Sequence, residues 1–146
     1  MEEALSFLQS VKKEFACGEI DLRTYSPLTL AFIGDCVYDM VIRTVIVCRA
    51  NRSPADLHKI KSSVVKAAAQ ANFMDVVMEE LTEEEQAVYK RGRNAKSYTT
   101  AKNASVIDYR KATGMEALIG YLYLQDNLER ILYLVKLGLE KMEMDI

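Results

Sequence analysis

The chain has 146 residues, half of them apolar, which suits one domain with its own core and leaves no length for a second folded module. Its formal net charge of -2 argues against a generic, salt-driven nucleic-acid binder, and charges interrupt its apolar runs before they reach the roughly 18 residues of a membrane span. The cysteines Cys17, Cys36 and Cys48 form no CxxC pair and follow no signal-peptide pattern, so the expectation is a soluble cytoplasmic protein with reduced thiols and neither a disulfide framework nor a zinc site.

Taken in chain order, the elements are helical throughout. A first helix is expected near 2–16. Ser26-Pro27 and Ser53-Pro54 each supply an N-cap followed by proline at the first helical position, where its missing N–H costs nothing, and predict helices near 27–48 and 54–69, with another near 71–80. Thr82 with Glu85 has the form of a capping box opening a helix near 83–92, and Ser105 with Asp108 is a weaker version opening one near 105–124; a last helix is expected near 127–142. With few glycines and prolines and no alternating apolar stretch between hairpin turns, the fold class is all-α, a single domain over 1–146.

Charge is unevenly spread. From Lys90 to Lys111 seven basic residues face one acid, Asp108, whereas Asp75 to Glu85 holds six acids and no base. Such asymmetry focuses a polyanion onto one face and repels it elsewhere, although solvated helix faces produce the same pattern. The most basic part, Arg91 to Asn103, reads as a loop.

Two carboxylates stand out. Asp35 lies within the apolar run Leu28–Ile42, preceded by Gly34, and both residues weaken a helix interior by up to roughly 1 kcal/mol relative to alanine. The small residues Ala31 and Gly34 leave space beside it for an ion, a water or another chain, and Asp39 lies one turn ahead on the same face. Glu116 repeats the pattern in Ala112–Leu124, flanked one turn away by Ala112 and Gly120. A buried lone carboxylate is costly unless it is paired or coordinates a metal. Two on separate helices suit one Mg²⁺, commonly held by one or two carboxylates plus substrate phosphate, while pairing with a buried Arg43 or Arg110 explains the same spacing. Residue pattern alone leaves both open.

The segment Phe32-Ile33-Gly34-Asp35-Cys36-Val37 resembles the signature helix of the ribonuclease III family, and Glu116-Ala117-Leu118-Ile119-Gly120 with the apolar stretch after it resembles the family's second catalytic helix. Arg93-Asn94-Ala95-Lys96-Ser97, Ala101-Lys102-Asn103-Ala104 and Asp108–Gly114 are similar to the short, mini-type branch of that family, as is the length, which leaves no room for the double-stranded-RNA-binding domain of the longer enzymes. The similarity runs from about Ser26 to Lys141. Where the longer enzymes have further carboxylates, this chain has Ala31, Leu28 and Thr113, so the usual metal set is reduced to Asp35 and Glu116.

The resemblance implies a ribonuclease III-like helical endonuclease in which Asp35 and Glu116 hold Mg²⁺ and cut double-stranded RNA, leaving 5′-phosphate ends. Asp39 and Thr113 are candidates to support the ion from behind, and Arg91, Arg93, Lys96 and Lys102 to contact RNA phosphates, with Lys59, Lys61 and Lys66 as a weaker patch. It further implies a homodimer packed on the signature helix, a precursor of large-subunit (23S) ribosomal RNA as substrate, and a ribosomal protein as helper. Leu30, Phe32, Val37 and Val41 are apolar residues that sequence cannot divide between dimer face and core. The lone His58 reads as a surface or interhelix residue. Two rival readings are a catalytically silent RNA-binding scaffold in ribosome assembly, favoured by the residues at Ala31 and Thr113, and a helical partner-binding protein for which the basic loop is incidental.

Overall fold

The computed structural model describes residues 4–95 and 105–146. Within them the chain forms seven α-helices, α1 (Phe7–Glu14), α2 (Pro27–Arg49), α3 (Pro54–Val65), α4 (Ala67–Val77), α5 (Glu83–Asn94), α6 (Val106–Leu124) and α7 (Leu128–Lys141), with 3-10 turns at Leu22–Thr24 and Met78–Glu80. Among the described residues there is no strand, as the all-α expectation requires.

The caps read from sequence form. Ser26 and Ser53 accept from the backbone N–H of Leu28 and Asp56 ahead of their prolines, and Thr82 and Glu85 close a reciprocal capping box. The first helix is shorter than expected, because Ser6 and Gln9 make a capping box that starts the chain into α1 only at Phe7. Lys66 adopts an extended conformation that ends α3 and opens α4, so the expected helix at 54–69 stops early. The Gln70 side chain donates to the Val65 carbonyl released by that break, at 2.9 Å. The basic segment begins as helix, not loop: α5 continues to Asn94, placing Arg91 and Arg93 in its last turn, where positive charge complements the helix dipole, and the rest of the expected loop from residue 96 on lies outside the described residues.

Helix α6 is apolar on almost every side and is therefore the central element, packed against α2, α4, α5 and α7. Met115, Ala117, Leu118 and Ile119 are its fully enclosed residues, meeting Tyr38 and Ile42 of α2, Phe73 and Met74 of α4, and Ile131 and Leu134 of α7 in one core. Helices α2 and α6 cross backbone to backbone. A Cβ on Gly34 would overlap the carbonyl of Glu116, and one on Gly120 would overlap the carbonyl of Leu30. The space left by Gly34 is thus filled by another helix of the same chain, not held open for an ion or a partner. This crossing sets the position of Asp35 against Glu116.

Candidate active site

Because Gly34 touches the Glu116 backbone, the next residue on α2, Asp35, projects beside the Glu116 side chain. The two carboxyls lie within hydrogen-bonding reach of each other. Asp35 is exposed and Glu116 is half-buried. Burial first, then the charge and hydrogen bond of Asp35, push the Glu116 carboxyl up to about 8, so that near neutral pH without a cation it keeps its proton. The alternative of a salt bridge is not what forms: among the described residues no ion pair includes either group, and Arg43 pairs with Asp39 instead, at 2.7 Å.

Both carboxylates open onto a groove of about 900 Å³ walled by α2, α3 and α6. Leu28, Ala31 and Thr113, the three positions at which the resemblance implied that further acids are replaced, line the same groove. Among the described residues no third His, Cys, Asp or Glu completes a metal-binding group. The donor set is therefore two carboxylates, which suits a hard, oxygen-preferring divalent ion that keeps several waters and accepts substrate oxygens. Two acids facing each other without a positive partner fit such an ion, because a shared cation offsets both the burial and the Asp35 repulsion that raise the Glu116 pKa.

The remaining candidates divide. Asp39 lines the groove, but one of its oxygens accepts from Arg43 Nε at 2.7 Å and the other lies 3.9 Å from Lys61 Nζ. Thr113 also lines it, with its hydroxyl donating to the Tyr109 carbonyl at 3.0 Å and its oxygen still able to accept. Arg91 and Arg93 are not brought into the groove: Arg91 donates to the Tyr25 carbonyl at 3.3 Å, and the Arg93 guanidinium sits over the Tyr89 ring. Lys96 and Lys102 lie outside the described residues. His58 is exposed on α3, 3.4 Å from the Ser62 hydroxyl, and does not line the groove.

Lys61 enters the groove wall with more weight than its place in a weak basic patch suggested. The signal was legible, since Lys61 follows Leu57 by four and precedes Val64 by three, which puts a lysine on the apolar face of α3. The apolar residues of α2 also separate: Leu30 is core, Val37 and Val41 pack against it, and Phe32 is 81% exposed.

Residues 28–127, which include both carboxylates, match the family model described as the ribonuclease III domain. A mini-ribonuclease 3 from Thermoanaerobacter sp. (strain X514) is 48% identical over 144 residues, spanning 98% of this chain and 99% of the relative. One from Clostridium tetani is 50% identical over 118 residues, 80% of this chain and 78% of that one. Among solved structures, the crystal structure of a Fusobacterium nucleatum protein, 30% identical, superposes with a TM-score of 0.76 over 85% of this chain and 99% of that one.

Proposed function

The chain belongs to the ribonuclease III family, in its mini-ribonuclease 3 branch of endoribonucleases, and from that premise we propose that it is a magnesium-dependent enzyme cutting double-stranded RNA, its substrate a precursor of 23S ribosomal RNA. The observation that carries this reading is the pair Asp35 and Glu116, set face to face on two helices over an open groove with no cationic partner between them.

Asp35 and Glu116 would hold the Mg²⁺, which when bound supplies Lewis-acid stabilisation of charge on the phosphate and lowers the pKa of a water. The chain's own part is positional. The Gly34 and Gly120 contacts fix the helix crossing, so the two carboxyls are held at their separation by backbone packing rather than by flexible side chains alone. Glu116 holds a proton near neutral pH until a cation replaces it, and Asp35, the exposed member, turns its oxygens toward the groove where a phosphodiester enters. No imidazole lines the groove, so no side-chain general base is assigned.

A-form RNA hides its base edges in a deep major groove, so recognition is by shape and phosphate. Arg91 and Arg93 at the end of α5, with Lys96 and Lys102 after them, are the proposed outer phosphate contacts. Affinity then falls steeply with salt.

The exposed stripe Leu28, Phe32, Cys36 and Met40 runs along α2 at helical spacing, its first three residues forming one wall of the groove, Phe32 being 81% and Met40 61% exposed. A second copy offering the same stripe buries both and pairs two cutting centres about a two-fold axis, one for each RNA strand. Sedimentation of the parent as a dimer and of Phe32→Glu as a monomer is the expected result.

Among the described residues no helix is long and apolar enough to cross a membrane; the proposed setting is the cytoplasm, where ribosomal precursors and an assisting ribosomal protein are met. The function is tested by incubating the protein with long double-stranded RNA and Mg²⁺, with and without Asp35→Asn. Cleavage to 5′-phosphate ends by the parent and binding without cleavage by the variant are expected. Binding without cleavage by the parent would replace this reading with the silent scaffold.

A further inference from the structure

The groove holding Asp35 and Glu116 contains a third carboxylate, Asp39, and among the described residues one cationic side chain, Lys61. A phosphodiester entering it meets net negative charge, so a cation fixed in the wall decides where the phosphate comes to rest. Lys61 is built into that wall, its side chain 18% exposed and its ammonium 3.9 Å from Asp39. Asp39 is already compensated by Arg43 at 2.7 Å, so its hold on the lysine is loose. An ammonium is a compact charge with three donors on a flexible stem, free to turn toward a phosphate oxygen while the stem stays packed. Lys61 also borders a neighbouring cavity of about 320 Å³ between α2 and α3, lined by Arg43 and His58. It is the shared edge of two concavities, with a second cation beyond it.

We propose, resting on the nuclease reading above, that Lys61 contacts the RNA phosphate backbone at or beside the scissile position, that Arg43 continues the track through the adjoining cavity, and that Asp39 is a loose counter-charge to these two cations, competing with phosphate for them, instead of holding the metal. An arginine satisfies the same role, since it too donates to phosphate oxygens.

The test compares parent, Lys61→Gln, Lys61→Arg and Asp39→Asn, measuring binding of a defined RNA duplex against salt concentration and cleavage as separate kcat and KM. Lys61→Gln is expected to lower kcat/KM by about a hundredfold and to flatten the plot of log affinity against log salt by about one unit of slope. Lys61→Arg restores both, and Asp39→Asn binds at least as tightly as the parent with the parent's slope. Should Lys61→Gln not fold, Lys61→Met keeps the packed stem and answers the same question. Parental slope and kcat/KM in Lys61→Gln overturn the proposal. So does Asp39→Asn with a slope flattened by as much as in Lys61→Gln, which makes the lysine's effect pass through its ion pair and not through a phosphate contact of its own. A parent that binds the duplex but never cuts it sinks the nuclease reading, while the salt slopes still decide the phosphate contact.

Discussion

Glu85 and Glu116 both turn a carboxylate inward, and the chain treats them in opposite ways. Glu85 is 5% exposed, accepts two bonds from the Arg130 guanidinium at 2.8 Å each, and caps the N–H of Thr82 at 2.9 Å. Burial alone would raise its pKa, but Arg130 and the Thr82 N–H outweigh that and leave it below the ordinary glutamate value. Glu116 has burial without the guanidinium, and a second acid in its place. The first arrangement ties α7 to the start of α5 and serves the fold. The second has no cationic partner among the described residues, and in the proposed function its completion would fall to a divalent ion.

The largest effect separates the two in activity. Asp35→Asn or Glu116→Gln is expected to cut the cleavage rate by on the order of a thousandfold while the metal-free melting temperature near neutral pH stays about level, because Glu116 is already protonated there and neither variant strands a buried charge. Glu85→Gln, read in the same two assays, should reverse the pattern, with cleavage largely kept and stability lowered.

Next in size is the crossing that creates the uncompensated pair. Gly34→Ala forces a methyl into the Glu116 backbone and is expected to destabilise by about 3 kcal/mol in urea unfolding. Gly18→Ala, where nothing lies within 4 Å, is the matching control and should change little. Arg130→Met then tests the compensated pair. It strands Glu85 without its guanidinium, and because Arg130 is itself partly exposed the expected loss is about 2 kcal/mol.

The smallest effect is in pH dependence, where the two glutamates have opposite signs. The folded pKa of Glu116 is above its ordinary 4.5, so between there and about 8 the folded state binds the extra proton. Metal-free stability should therefore fall as pH rises through that window, and Glu116→Gln should flatten the fall. Glu85 is shifted down, so its contribution is complete above the ordinary glutamate value and is lost as pH drops through the lowered one. Thermal melts across pH, for the parent and each glutamine variant, distinguish the two slopes.

Much of this was legible in the residues because it rests on local chemistry. Serine and threonine caps and the two X-Pro starts marked α2, α3 and α5, and an acid preceded by glycine in an apolar helix marked Asp35. Glu116 was marked as a lone acid in α6, and that the two meet was an expectation of family likeness, which the close approach of Gly34 to Glu116 explains physically. What was not legible depends on tertiary partners. The break at Lys66 follows from an extended backbone that no glycine or proline announces. The extension of α5 through Arg93 reflects packing of Gly92 against α6, and the choice of Arg43 for Asp39 over Asp35 depends on side-chain directions along one helix.

The central claim is that burial and the facing Asp35 raise the Glu116 pKa, and that a divalent ion shared with Asp35 is the counter-charge the pair is built to take. Carbon-detected NMR titration of the Glu116 carboxyl, run with and without Mg²⁺, addresses it directly. The expected midpoint is about 8 in metal-free buffer, moving down into the ordinary carboxylate range when Mg²⁺ is present and staying unresponsive to Mg²⁺ in Asp35→Asn. A midpoint that ignores Mg²⁺ in the parent, or that responds equally in Asp35→Asn, would contradict it.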